Sequence, residues 1–235
     1  MKIFCIGKKK AAISFFAAFA LIAAVFAANA FAPAAYAAFA KKRVLPIYSV
    51  EREDKTIAIS FDCAWGAEHT DELLKIMEEQ DVKCTFFMVQ FWAEKYPDYV
   101  KKIAAAGHEI GTHSRTHPKM SELTKEQIQS ELKTSCETIE NVTGKKVDLF
   151  RPPFGDYNDL LVETAKEMGL YTIQWDVDSL DWKNLSGQEI ALRVVNGVKS
   201  GSIILCHNNG LHTADALPVI LSALKNKGYR FVPIG

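Results

Sequence analysis

An α/β fold, a distorted (β/α) barrel, is what this sequence of 235 residues predicts. Two observations carry the expectation. From residue 56 onward short apolar runs alternate with amphipathic segments of helical period, and repeated strand-then-helix units require parallel strands joined by helical crossovers. The length beyond the first forty residues suits one such domain with a core of its own, with no need of a second. The units are too uneven for eight regular repeats, so fewer than eight are expected.

The first forty residues are of another kind. Lys2, Lys8, Lys9 and Lys10 precede an uncharged run rich in Ala and Phe over 11–40. Positive charge followed by an apolar stretch reads as an export signal, and Ala28-Asn29-Ala30 and Ala35-Tyr36-Ala37 offer small residues for cleavage. The run also exceeds the roughly 20 apolar residues that span a bilayer, so a retained membrane anchor is the other reading. Both place the domain outside the cytoplasm, in the cell envelope or beyond it. The expected organisation is therefore a leader over 1–40, a linker over 41–54 and a single domain over 55–235.

Without the four lysines of the leader, 24 basic residues face 28 acidic ones. That balance excludes a nucleic-acid-binding surface, and any membrane contact falls to the leader alone. Four cysteines follow the leader, Cys63, Cys84, Cys136 and Cys206, at spacings unlike a small disulfide framework. Mostly free thiols are expected, in a monomer.

Taken in order, 56–61 reads as a strand and 70–79 as a helix with Leu73, Leu74 and Met77 on one face. The next strand falls at 85–89, a helix over 97–106 closes at Gly107, and 108–112 is the third strand. Thr124 and Gln127 form a capping box opening a long helix that stops near Gly144. Further strands are expected at 147–151, 171–175, 203–206 and 229–232. Helices lie between them at 159–168, at 188–198 behind the box Ser186/Glu189, and at 214–227, with Thr213 as a cap for the last.

In such barrels reactive groups gather where strands end and loops begin. Asp62 and Cys63 follow the first predicted strand; His113 and His117 follow the third. Arg151 and Phe154 come after the fourth, then Asp176, Asp178, Asp181 and Trp182, and His207 follows the strand at 203. On a helical turn, imidazoles four residues apart share one side of the backbone, an arrangement that suits a metal of the zinc type. A barrel glycosidase would need two facing carboxylates and would leave these paired histidines unexplained. His108, at the start of an apolar strand, reads as structural.

Five motifs run in order: Ser60-Phe61-Asp62-Cys63, His113-Ser114-Arg115-Thr116-His117, Arg151-Pro152-Pro153-Phe154-Gly155, Asp178-Ser179-Leu180-Asp181-Trp182 and Leu205-Cys206-His207. Together they resemble the polysaccharide deacetylase family, the NodB-homology domain of carbohydrate esterase family 4, over nearly all of 55–235. With Cys63 and Trp65-Gly66, the leader looks most like the branch associated with sporulation and spore cortex peptidoglycan. The resemblance implies metal-assisted hydrolysis of an N-acetyl group on an amino sugar of a cell-wall glycan, releasing acetate. It implies Asp62 as base, Arg151 as its orienter, His113 and His117 as metal ligands, and His207 as the acid, charged and oriented by Asp181. The backbone at Phe154 would help hold the oxyanion, with Trp182 and Leu205 walling the acetyl pocket.

One departure stands against these agreements. The family pattern has a second aspartate directly after the base as third metal ligand, and this chain has Cys63. A thiolate is a good zinc ligand, so the expectation is a His-His-Cys zinc site. Glu68 or His69 filling the gap, and a weakened or lost metal site, are the alternatives. The last would leave a catalytically weak or inactive glycan-binding protein of the same fold.

Overall fold

The computed structural model describes residues 43–235, together with Ala20, Leu21 and Phe26. The leader over 1–40, its cleavage sites and Cys5 otherwise lie outside the described residues. In chain order the elements are β1 (Thr56–Cys63), α1 (Thr70–Glu79), β2 (Thr85–Met88), α2 (Gln90–Lys95), α3 (Pro97–Ala105), β3 (Glu109–Thr112), α4 (Lys125–Thr143) and β4 (Leu149–Phe150). Then follow α5 (Asp159–Glu167), β5 (Tyr171–Thr172), β6 (Val177–Asp178), α6 (Gly187–Gly197), β7 (Ile203–His207), α7 (Thr213–Asn226) and β8 (Arg230–Phe231).

Every strand pair is parallel, in the order β5-β4-β3-β2-β1-β7-β6, with β8 against the first residues of β1. This is the distorted barrel with helical crossovers that the alternating pattern predicts. All eight residues of β1 are buried, as expected of a parallel strand covered on both faces.

The two faces of β1 look into different cores. Ile57, Ile59, Phe61 and Cys63 belong to the large cluster formed with helix residues such as Leu73, Met77, Leu217 and Leu221. A fully buried Phe such as Phe61 contributes about 1.5–3 kcal/mol through the water it sheds. The alternate residues Ser60 and Asp62 face the barrel interior, where Phe87, Leu149, Ile173 and Ile203 make a second, smaller core. Gly111, level with Asp62 and Phe87 across the sheet, lets that interior close. A Cβ there would meet the Phe87 ring at 2.7 Å and the Leu149 carbonyl at 2.8 Å.

Both expected capping boxes are present, Thr124 with Gln127 on α4 and Ser186 with Glu189 on α6, and Gly144 closes α4 in the left-handed region. Such a cap typically contributes about 1 kcal/mol. Thr213 does not cap α7. His212 occupies the cap position, its Nδ1 2.9 Å from Asp215 Oδ2 and no side-chain bond capping the helix backbone, and the Thr213 hydroxyl goes to Asp181 instead.

The chain from Val44 onward belongs to the same compact unit as the barrel, including most of the stretch expected as linker. Ile47 bridges Ile173 and Ser49 bridges Ser202. This stitching explains why the strand expected over 171–175 stops at Thr172: the Gln174 amide donates to the Ile47 carbonyl. Two short elements, α2 and β6, have no counterpart in the expected order, and β6, at two residues, is too short to carry a period. Cys63, Cys84, Cys136 and Cys206 are free thiols.

Candidate active site

At the carboxyl end of the strands a cleft of about 760 Å³ is lined by Asp62, His113, His117, Phe154, Asp181, Trp182, Leu205 and His207, among others. Nine of the ten residues expected at the site have a place in it, if Arg151 beneath its floor is counted. Cys63 has none.

Asp62 is anchored first. Arg151, fully buried just past β4, donates from Nη1 to Asp62 Oδ1 at 2.9 Å and from Nη2 to the Gln174 carbonyl at 3.2 Å. Its guanidinium lies 4.2 Å from the Phe87 ring centroid, so the inner core supports the ion pair from below. Burial alone would raise the Asp62 carboxyl. Arg151, with His113 and His207, more than offsets that and holds it below the ordinary carboxylate range. Asp62 is therefore an anion at neutral pH, with Oδ2 turned toward His113 Nε2 at 3.5 Å.

His113 follows β3 and is buried. Its Nδ1 lies 2.7 Å from the Arg151 carbonyl; a carbonyl only accepts, so Nδ1 carries the proton and Nε2 faces the cleft as a lone pair. The segment from His113 to His117 is not a helical turn. Ser114 and His117 both adopt the left-handed region, at φ 73° and 59°, and this brings the two rings together at 4.9 Å between centroids. Positive φ in such residues is strained, so something must hold it. Glu131 of α4 does: its carboxylate accepts from the Arg115 and Thr116 amides at 2.9 and 2.8 Å and from the Thr116 hydroxyl at 2.8 Å. Burial, then the neighbouring His113, lowers His117 to about 4, and burial also lowers His113. Both rings are neutral, the form in which imidazole binds metal.

The opposite wall carries His207, at the end of β7. Its Nδ1 and its backbone amide each lie 2.7 Å from an oxygen of Asp181, and the Thr213 hydroxyl donates to Asp181 at 2.7 Å. Burial works to lower His207; the hydrogen bond and charge of Asp181 outweigh it and raise the imidazole. Asp181 itself is held low by the same bonds against the effect of its burial. Asp178 accepts from the Leu180 amide and shapes the turn. Asp176, which sequence order placed with the site, instead ties down Ser202 and Ile203 at 2.9 Å each.

The His-His-Cys expectation is corrected by the pleat of β1. Asp62 points into the barrel, so Cys63 points out, into the helix-side core beside its register partner Met88. It is fully buried there, and desolvation, then Asp62 and Cys84, push its thiol well above the ordinary range. Glu68 folds back onto the Ala67 amide at 2.8 Å. Carbohydrate esterase family 4 is generally dependent on a divalent metal. Among the described residues no group of three His, Cys, Asp or Glu side chains gathers to hold one. Two neutral imidazoles make half of a metal site, and the donor set does not fit a three-ligand one.

Residues that the motif reading left without a role include Trp65, Trp175 and Asn184 on the cleft wall, Thr213 under Asp181, and Glu131 behind the histidine loop. An aromatic three residues beyond the strand-end acid Asp62 is the available signal for Trp65; Glu131, on a helix face, offers none.

Comparison with known proteins decides the lineage. The polysaccharide deacetylase family model matches residues 49–173. The chain belongs to the polysaccharide deacetylase family. A peptidoglycan-N-acetylglucosamine deacetylase of Bacillus cereus is 36% identical over 80% of this chain and 90% of its own length. YlxY of Bacillus subtilis, an uncharacterized protein, is 35% identical over 78% of this chain, which spans only 57% of that relative's length. Among solved structures of this deacetylase family, BA3943 of Bacillus anthracis, a CE4 family pseudoenzyme, is 34% identical with a TM-score of 0.79, covering 81% of this chain and 67% of that one. A BA3943 mutant with restored enzymatic activity is 35% identical, with the same TM-score, covering 81% and 70%.

Proposed function

We propose that this deacetylase-family chain hydrolyses N-acetyl groups on an amino-sugar polymer of the cell wall, peptidoglycan or a related N-acetylglucosamine glycan, releasing acetate. The observation that carries this reading is the pairing of Asp62 with Arg151 and of His207 with Asp181 on two walls of one cleft. One wall offers a carboxylate held anionic, the other an imidazole biased toward its protonated form; hydrolysis of an amide needs a base for water and an acid for the departing amine.

With the acetamido group between the walls, Asp62 Oδ2 accepts a proton from the attacking water while Arg151 fixes Oδ1. Attack gives a tetrahedral adduct, and breaking its C–N bond leaves acetate. His207 protonates the amine as it departs, and the fixed carboxylate of Asp181 stabilises the imidazolium beforehand. Arg151 and Asp181 act by orientation and charge, within a site walled by Phe154, Trp182 and Leu205. Of the divalent cations, zinc is the one that the two neutral imidazoles of His113 and His117 would attract, as a two-donor contact short of a full ligand set. We further place the domain outside the cytoplasm, in the cell envelope or beyond it, on the pattern of the leader, and take it as a monomer.

A second reading has its own support. The outward Cys63 removes a ligand that the family pattern includes, and a glycan-binding protein without turnover would tolerate that loss. Peptidoglycan incubated with the protein separates the two. Free amine and acetate appearing in equal amounts support hydrolysis, while retention on the glycan with neither product supports binding alone.

A further inference from the structure

Resting on a glycan as the occupant of this cleft, we propose that Trp65 and Phe91 form a sugar-stacking subsite beyond the histidine wall, so that the protein grips a run of linked pyranose rings. Trp65 is 64% exposed, Phe154 65% and Trp182 55%, all at the mouth of one cleft. Large apolar rings clustered in the open are costly unless something covers them. Pyranose rings present flat C–H faces that stack on aromatic faces, whose electron density is negative above the ring.

The rings form a continuous row. Phe91 lies 6.3 Å from Trp65, Trp65 4.8 Å from His117, and His117 4.6 Å from Phe154. On the acid's side Trp182 follows Asp181 in the chain and lines the same cleft, with the Lys183 ammonium 4.8 Å from its ring centroid. A chain of sugars laid along the cleft would meet Trp65 beside His117 and Trp182 beside Asp181.

The turn that presents Trp65 is built to stay in place. Gly66 is left-handed at φ 69°, and a Cβ on it would strike the Asn209 side chain at 2.3 Å. Its carbonyl accepts from Trp92 Nε1 at 2.6 Å and from Asn208 Nδ2 at 3.0 Å. Asn208 donates its own amide to the Asp62 carbonyl at 3.2 Å, so the turn is tied to both the base and the loop of the acid. A rigidly held, exposed indole loses little freedom when a ligand covers it. The cleft lining has no Lys or Arg and does include Asn184, Asn208 and Asn209. Amides suit hydroxyls, and this lining suits uncharged sugars over anionic ones.

The experiment titrates N-acetylglucosamine oligomers of increasing length, from the dimer to the hexamer, into the wild-type chain, Trp65→Ala and Trp65→Phe, read by indole fluorescence and calorimetry. A tenfold gain in affinity corresponds to about 1.4 kcal/mol. Wild type is expected to gain about that factor as the oligomer lengthens past the dimer, Trp65→Ala to lose the gain with unchanged dimer affinity, and Trp65→Phe to keep most of it. Equal length dependence in wild type and Trp65→Ala overturns the proposal, as does no gain, or no binding at all, in wild type. Acetate followed in the same samples keeps the readings apart: length-dependent binding without acetate leaves the subsite standing and counts against hydrolysis.

Discussion

Asp62 and His207 are register partners on the neighbouring parallel strands β1 and β7. Side chains at matched positions of adjacent strands project to the same face, so the base and the acid are placed by the sheet itself. Each is then completed from another element, Asp62 by Arg151 after β4 and His207 by Asp181 after β6.

The acid side predicts a pH dependence. His207 lies above its ordinary 6.5 because Asp181 outweighs burial. The stability of this pair is therefore fully present below about 6.5 and is lost as pH rises through the elevated folded value. Acetate release falls over the same alkaline range. Asp181→Asn removes the strongest of the groups that raise His207, leaving Asp62 and Asp178 against burial, so the imidazole falls and the alkaline limb moves toward acid, with a rate loss of ~10²–10⁴-fold. A histidine NMR titration checks the shift; an unmoved His207 signal would count against Asp181 as the group that raises it.

On the base side, Arg151→Met leaves Asp62 buried without its partner. Breaking such a pair costs about 3–5 kcal/mol, to be read by denaturant unfolding. Asp62 lies below its ordinary 3.8 with Arg151 present. Its stabilising contribution is present above that ordinary value and is lost only as pH falls through the depressed one. In the variant the largest charge opposing desolvation is gone, the carboxyl rises, and the acid limb of activity moves up. An unchanged acid limb would show that Asp62 does not depend on Arg151 for its charge.

The fold was legible because parallel strands with helical crossovers leave a strong period, and both capping boxes could be read residue by residue. What escaped was geometry of a few residues. Alternation along Ile57, Ile59, Phe61 and Cys63 was in the sequence and already set Cys63 opposite Asp62. The motif drew attention to its thiol chemistry and away from its face. The spacing of the histidine pair predicts a helical turn, whereas left-handed Ser114 and His117 give the same proximity by another route. No local pattern foretells that route, because the group holding it, Glu131, comes from a distant helix.

Cys63→Ser is therefore expected to leave zinc affinity within about twofold of wild type. It should cost about 1–3 kcal/mol of stability, since a hydroxyl is left without a partner in the helix-side core. A large fall in zinc affinity, measured by competition with a chromogenic chelator, would restore Cys63 as a ligand.

Glu131→Ala removes three hydrogen bonds that hold the loop between His113 and His117. Bonds to a charged group contribute about 1.5–3 kcal/mol, and the strained His117 would relax without them. Zinc affinity and kcat should both fall while KM changes little. Unaltered kcat and zinc affinity would mean that the loop holds its shape unaided.

The most direct test of the central claim is acetate release from purified peptidoglycan by the wild-type chain with added zinc, beside Asp62→Asn. Steady release by wild type and a loss of ~10²–10⁴-fold in the variant are expected. Equal background from both, with the glycan still bound, would contradict that claim and leave a glycan-binding protein on a deacetylase fold.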